Sequence, residues 1–335
     1  MTEFFKQPNI DWMGKAKYFY ALSAILLIIG WISVWQKGGL YYSIDFKGGT
    51  NVDVQFSQPP DVDQIRKALT AQGLGSSEIQ SISDIGSRSN EVLIFVEQKG
   101  TDEEAADTSK NKVINALKGA GLGNFTIRGA EIVGAKVGGE LKWQAIWVTL
   151  FALGGMLLYI AFRFEWVFGA AAVLAVFHDV LITLGFFSLL HFEISLTVIA
   201  ALLTLVGYSM NDTFVIFDRI RENRRLLRKE EFAELVNKSI NQTLSRTILT
   251  SGLTFLTVLV LFLMGGQVLR AFSFALVVGI VVGTYSSFGI AAPLVVVWHH
   301  WRGESGTLVG TGSAAGNKPR SSEGVSGRLA PAGRR

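Results

Sequence analysis

The sequence predicts an α-helical membrane unit of six spans with one small α+β domain inserted between the first and the second. Three observations carry that class. Nearly half of the 335 residues are apolar (49%), and they are gathered in long runs rather than spread evenly. Six runs, 18–36, 143–162, 166–190, 193–217, 247–265 and 270–298, reach the roughly 18 residues a helix needs to cross a ~30 Å lipid bilayer core. The segment 37–140 between the first two runs has instead the mixed, periodic pattern of a water-soluble domain.

In chain order, residues 1–17 form a short N-terminus whose Lys6, Lys15 and Lys17 precede the first run, 18–36, as in a signal sequence. That run exceeds a signal's apolar stretch and no small-x-small cleavage site follows it, so it reads as a retained anchor. Lys and Arg crowd residues 219–238 (Arg219, Arg221, Arg224, Arg225, Arg228, Lys229, Lys238) and the C-terminal tail, whereas 37–140 is net acidic. The positive-inside rule then puts both termini and the loop 218–246 in the cytoplasm and 37–140 outside. The net charge of +4 is therefore a topology signal, and no nucleic-acid partner is expected. With no cysteine in the chain, disulfides, thiol catalysis and Cys-based metal sites are excluded.

Within 37–140, Val52, Val54 and Phe56 alternate as in a half-buried strand. A helix is predicted over 61–72, with Asp61 as its cap and Val62, Ile65, Ala68 and Leu69 on one face. Ile79 and Ile82 mark a short strand, and Val92 to Val96 a buried one. A second helix, 102–119, has an acidic first turn and carries Val113, Ile114 and Leu117 on its apolar side; Phe125 and Ile127 lie on a last strand. The order β-α-β-β-α-β is the split βαβ, ferredoxin-like arrangement. Glycines flank the domain, Gly38-Gly39 on one side and Gly134 to Gly139 on the other; they read equally well as hinges or as ordinary turns. The remaining spans fill 141–298, and 299–335 is expected to be a cytoplasmic tail, disordered from 303 by its Gly, Ser, Ala and Arg content.

An ionisable side chain at mid-bilayer costs roughly 2.5–3.5 kcal/mol, so each one marks a candidate site. Asp212 lies inside the fourth run, about a turn and a half from its end, in Gly207-Tyr208-Ser209-Met210-Asn211-Asp212-Thr213. The bland alternative, a helix-end carboxylate reaching water, suits Asp218 beside Arg219 and Arg221. Arg246 opens the fifth run, and Thr250, Thr254 and Thr257 continue its face. Such a stripe can face water or a carboxylate, or its hydroxyls can bond their own helix. Antiparallel packing of the two helices brings Asp212 and Arg246 to comparable depth. An arginine that moves to and from an aspartate changes its proton affinity, as a proton-driven cycle requires; a static ion pair holding the helices together is the structural alternative.

The third run carries His178-Asp179, candidates to support a proton path. Neighbours on a helix point about 100° apart, so only one of them can face a given partner squarely. No metal site or cofactor is expected from four histidines, two of which, His299-His300, lie beyond the last span. The chain holds no Walker loop, GxSxG elbow or HExxH. Gly48-Gly49-Thr50 precedes a strand rather than opening a helix. Energy must come from an ion gradient or a partner, and enzymatic activity is not expected.

Five stretches resemble a known family. They are Asp45-Phe46-Lys47-Gly48-Gly49-Thr50; Val137-Gly138-Gly139-Glu140-Leu141; Phe177-His178-Asp179-Val180; Gly207 to Thr213 running into Asp218-Arg219-Ile220-Arg221-Glu222-Asn223; and Ser245-Arg246-Thr247. Together they resemble SecF, the smaller half of the SecD–SecF accessory complex of bacterial protein export, which is related to the RND transporters. The likeness runs over about 10–300 and is most specific at 207–223. It implies an RND-type half-unit in the bacterial inner membrane that pairs with SecD. Together the pair would use the proton motive force to pull preproteins outward once the Sec channel (SecY, SecE, SecG) has passed them. It also implies that Asp212 and Arg246 are the proton-path residues and that the outer domain moves relative to the membrane part. The tail 303–335 has no counterpart in the family pattern. Two other functions stand beside this one: half of an RND small-molecule efflux transporter, and a non-motor assembly factor of the Sec channel. A single small domain and six spans weigh against efflux. An aspartate serves H⁺ or Na⁺ alike.

Overall fold

The computed structural model describes residues 8–82, 90–97, 103–122, 124–163, 165–227 and 229–302. The expected disorder of 303–335 lies outside them, as do Lys6 and Arg228.

Among the described residues six helices are long and apolar enough to cross a membrane. Helix α1 (Trp12–Gln36) starts earlier than its apolar run because Asp11 caps it, accepting from Gly14 N at 2.9 Å. Its first backbone N–H groups, those of Trp12 and Met13, also donate to Asn237 Oδ1 at 2.8 and 3.0 Å. A short turn, α2 (Ile44–Lys47), leads into β1 (Gly49–Phe56), α3 (Val62–Ala71), β2 (Glu78–Ile82), β3 (Glu91–Glu97), α4 (Glu103–Gly119) and β4 (Phe125–Val133). The strands form one antiparallel sheet in the order β2-β3-β1-β4, the ferredoxin-like order for this connectivity. Alternation explains the core: Val52, Val54 and Phe56 of β1 and Val92, Ile94 and Val96 of β3 point to one face. There they meet Ile65 and Leu69 of α3 and Val113 and Leu117 of α4. Asp61 caps α3 as expected, accepting from Asp63 N at 2.9 Å. Strand β4 runs well beyond Ile127. A bulge between Asp53 and Val54 breaks the register with it, which hides the alternation of residues 128–133.

The two glycine segments do different work. Gly38 and Gly39 have φ of 73° and 137°, a turn that only glycine adopts freely. The chain is then strapped to the membrane unit: Ile194 N donates to Tyr41 O at 2.7 Å and Ser43 N to Ile194 O at 2.9 Å. Of the second segment only Gly134 lies between β4 and helix α5 (Ala135–Arg163); Gly138 and Gly139 are already in the helix's first turns. Gly138 sits against α2, where a Cβ would fall 3.0 Å from Gly48 N.

The remaining spans are α6 (Trp166–Leu190), α7 (Leu196–Leu226), α8 (Phe232–Met264) and α9 (Gly266–Ser286). The last of these continues through a π turn (Ser287–Ala291) into α10 (Ala292–Trp301). Pro293 explains the π turn: lacking an N–H, it cannot complete the ladder, and the preceding turn widens. The expected loop 218–246 is mostly helix, with α7 and α8 overrunning their apolar runs and only 227–231 connecting them. The reason is a helical period beneath the charges. Ile220, Leu235, Val236 and Ile240 are buried, while Arg219–Glu222 and Arg163–Asp218 pair on the surface. Asp218 thus has the surface role expected of it.

Candidate functional site

Helix α7 carries two polar sites, one on each side. Ser195 starts the helix, its side chain accepting from Val198 N at 3.2 Å, and Asp45 of the strap accepts from Leu196 N at 2.9 Å. Further along, Ser209, Asp212 and Thr213 are all buried.

Asp212 faces α8 and is 2% exposed. Its Oδ2 accepts from Ser251 Oγ at 2.6 Å; among the described residues no hydrogen bond reaches its other oxygen. No ion pair joins Arg246 to Asp212 among the described residues. The helix geometry explains this. The buried face of α8 carries Thr243, Thr247, Ser251 and Val258, whereas Arg246 lies on the adjacent outward stripe and is exposed. The hydroxyls of that stripe bond their own helix: Thr250 to Arg246 O at 3.0 Å, Thr254 to Thr250 O at 2.9 Å and Thr257 to Leu253 O at 3.0 Å. Among the described residues they make no hydrogen bond to Asp212 or to another carboxylate.

On the other side of α7 the carboxylate is Asp179 of α6, fully buried. Its Oδ2 accepts from Ser209 Oγ at 2.6 Å and Ser286 Oγ at 2.8 Å, and its Oδ1 lies 2.9 Å from His178 Nδ1. As the 100° rule requires, only Asp179 of this pair reaches α7. His178 stands edge-on to Tyr285, whose hydroxyl is 3.1 Å from Ser23 Oγ of α1, and its buried Nε2 has no hydrogen-bond partner. Thr213 Oγ1 is 3.0 Å from Ser287 Oγ, in the π turn. Helix α9 comes this close because Gly279 and Gly283, a small-xxx-small pair, lie against Leu205 and Ser209 of α7.

Of the serines completing both sites, Ser209 lies within the Gly207–Thr213 stretch, whereas Ser251 and Ser286 do not stand out in the sequence. A hydroxyl in an apolar helix ordinarily bonds its own backbone, so spacing from an acid on another helix is the only clue.

At the domain side, Glu193 occupies the turn between α6 and α7. Burial, then the charges of Glu78 and Asp45, outweigh Lys47 and push its carboxyl up to about 7.

A six-span bundle with an α+β domain after its first helix, and with carboxylates held inside by hydroxyls, defines a polytopic membrane protein of the transport type. Comparison with known proteins places it more closely. Residues 112–301 match the family model described as protein export membrane protein SecD/SecF, C-terminal, and residues 37–60 match the SecD/SecF GG motif. Protein translocase subunit SecF of Koribacter versatilis is 44% identical over 93% of the chain and 97% of its own length. The subunit of the same name from Calditerrivibrio nitroreducens is 45% identical over 86% and 93%. The crystal structure of SecDF from Thermus thermophilus, a translocon-associated membrane protein, superposes with a TM-score of 0.77 at 42% identity over 88% of the chain. The chain spans 39% of that longer protein. The chain belongs to the SecD/SecF family of protein export membrane proteins, on its SecF side.

Proposed function

We propose that the chain is the SecF subunit of the bacterial protein translocase, working beside a SecD partner in the cytoplasmic membrane. The domain faces outward and both described ends of the chain lie on the cytoplasmic side. SecF and SecD together draw on the proton motive force to promote outward passage of preproteins delivered by the SecY–SecE–SecG channel. The fusion of both halves in Thermus thermophilus SecDF supports the partnership.

Asp212 is the ion-binding group in this reading. The observation that carries it is a buried carboxylate held by the single hydroxyl of Ser251, with Arg246 on the exposed stripe of the same helix α8. That leaves one carboxylate oxygen without a hydrogen bond among the described residues, and a counter-charge outside the buried face. Arg246 is the mobile partner, and the Thr250 and Thr254 stripe is the surface it shares with SecD. His178 and Asp179 hold α6, α7 and α9 in register around the site. The route to the outside is mechanical. Asp45 caps the N-terminus of α7, and Asp212 rides the same helix about 24 Å further on. A shift of α7 on ion binding is therefore delivered to the root of the outer domain.

The test is gradient-dependent export by membranes carrying Asp212→Asn, Arg246→Met or both. The amide keeps size and hydrogen bonding but cannot cycle a charge, so each variant should lose the gradient-dependent part of export with normal expression and SecD association. Recovery in the double variant would retire ion coupling in favour of a static pair. Full export by Asp212→Asn would leave only the assembly role.

A further inference from the structure

A cleft of about 670 Å³ opens between α5, α6 and α7. Leu153 and Met156 of α5, Val176 and Phe177 of α6, and Leu202 and Val206 of α7 form its body, and every one of them is apolar. It lies behind the faces of α6 and α7 that carry Asp179 and Asp212 and shares none of their polar groups. Helix α5 is the least embedded span, with 11% of its apolar window buried against 67% for the last span, so the cleft separates it from the bundle.

The mouth differs from the body. At the domain side it is rimmed by Tyr42, Phe46 and Lys142, and among the described residues Lys142 is the only charged one on the lining. Its ammonium lies 5.9 Å from the centre of the Tyr42 ring. The nearby acid, Asp45, is turned away to the N-terminus of α7. A cation beside an aromatic ring, at the end of a membrane helix, is the arrangement found at the level of lipid headgroups. From Lys142 the lining follows α5 down to Leu157, about 22 Å at 1.5 Å per residue. One leaflet's share of a ~30 Å hydrocarbon core is about 15 Å. A lipid whose headgroup sits at the mouth therefore lays a whole acyl chain within the cleft.

We propose that this cleft is a binding site for an anionic phospholipid, with its phosphate on Lys142 and one acyl chain between α5 and the α6–α7 pair. Lipid tails surround any membrane protein, so selection comes from the mouth. One lysine at an anionic surface corresponds to roughly a fivefold preference over a zwitterionic lipid with the same chains.

The full-length chain, alone and with its SecD counterpart, would be exchanged into micelles holding equal amounts of phosphatidylglycerol and phosphatidylcholine with matched chains. Retained lipid would then be counted by native mass spectrometry. Wild type should keep one phosphatidylglycerol at about five times the occupancy of phosphatidylcholine. Lys142→Gln, an exposed substitution that leaves the fold intact, should bring the two to parity; Lys142→Arg should keep the preference. Ala145→Phe, which projects a ring into the cleft, should lose both lipids. Equal retention by wild type and Lys142→Gln would overturn the proposal, as would unchanged retention by Ala145→Phe. Loss of the lipid when SecD joins would assign the cleft to a partner helix instead.

Discussion

Removing Arg246 separates a resting ion pair from a mobile counter-charge. A buried pair deprived of one member loses about 3–5 kcal/mol, because the surviving charge is stranded. The geometry here is different: Arg246 is exposed and unpaired with Asp212, while Ser251 holds that carboxylate at 2.6 Å. Arg246→Met should therefore cost at most about 1 kcal/mol of stability, the range of an exposed charge. Ser251→Ala should cost about 1.5–3 kcal/mol, the worth of a hydrogen bond to a charged group. A double-mutant cycle of Ser251→Ala with Asp212→Asn should return most of that as coupling, and the cycle of Arg246→Met with Asp212→Asn less than about 0.5 kcal/mol. Unfolding in mixed micelles with increasing dodecyl sulfate reads these energies, and export by energised inverted vesicles reads the function. Arg246→Met should be nearly as stable as wild type yet fail to respond to the gradient. Arg246→Lys should be impaired as well, since lysine lacks the planar fork that holds a carboxylate through two bonds. A 3–5 kcal/mol loss in Arg246→Met, restored by adding Asp212→Asn, would refute the mobile-partner reasoning.

Three further outcomes are expected. Glu193, raised from 4.5 to about 7, favours the folded state when protonated. Its contribution is whole below about pH 4.5 and lost as pH rises through 7, with a ceiling of about 3 kcal/mol. Glu193→Gln should flatten the fall in melting temperature between pH 5 and 8, and an unchanged profile would remove Glu193 as its source. Gly283→Ala puts a Cβ 3.0 Å from that of Ser209 and should push this serine off Asp179; a loss of about 1–3 kcal/mol in the same micelle titration checks it. Asp45→Ala removes a cap of α7 worth about 1 kcal/mol and should reduce gradient-driven export far more than it reduces stability; equal losses in both would deny the mechanical link.

The spans and the outer domain were legible because their signals are local: a run of apolar residues, or an alternation along one strand. Asp212 was legible for the same reason, a charge inside an apolar run. What stayed hidden depends on azimuth. On α8 the stripe of Arg246, Thr250, Thr254 and Thr257 and the stripe of Thr243, Thr247 and Ser251 are both helically spaced and lie side by side. Only packing decides which one turns inward, and it chose the stripe without the arginine. The helical overruns of α7 and α8 were masked by the charges of 218–246, whose apolar positions are too sparse to stand out one by one. In β4 the bulge at Asp53 erased the alternation that would have extended the strand.

The pairing of β1 with β4 has a consequence for how such a domain can be carried at all. Gly49, where the sheet begins, and Val133, where it ends, are direct partners across the antiparallel ladder, about 5 Å apart as such pairs are. To α1 and α5, the inserted segment is therefore a closed hairpin. Joining the ends of so long a stretch of chain is done by the sheet's own hydrogen bonds, and the bundle bears none of that entropy. Length can be added to or removed from the far side of the domain without the membrane helices registering the change.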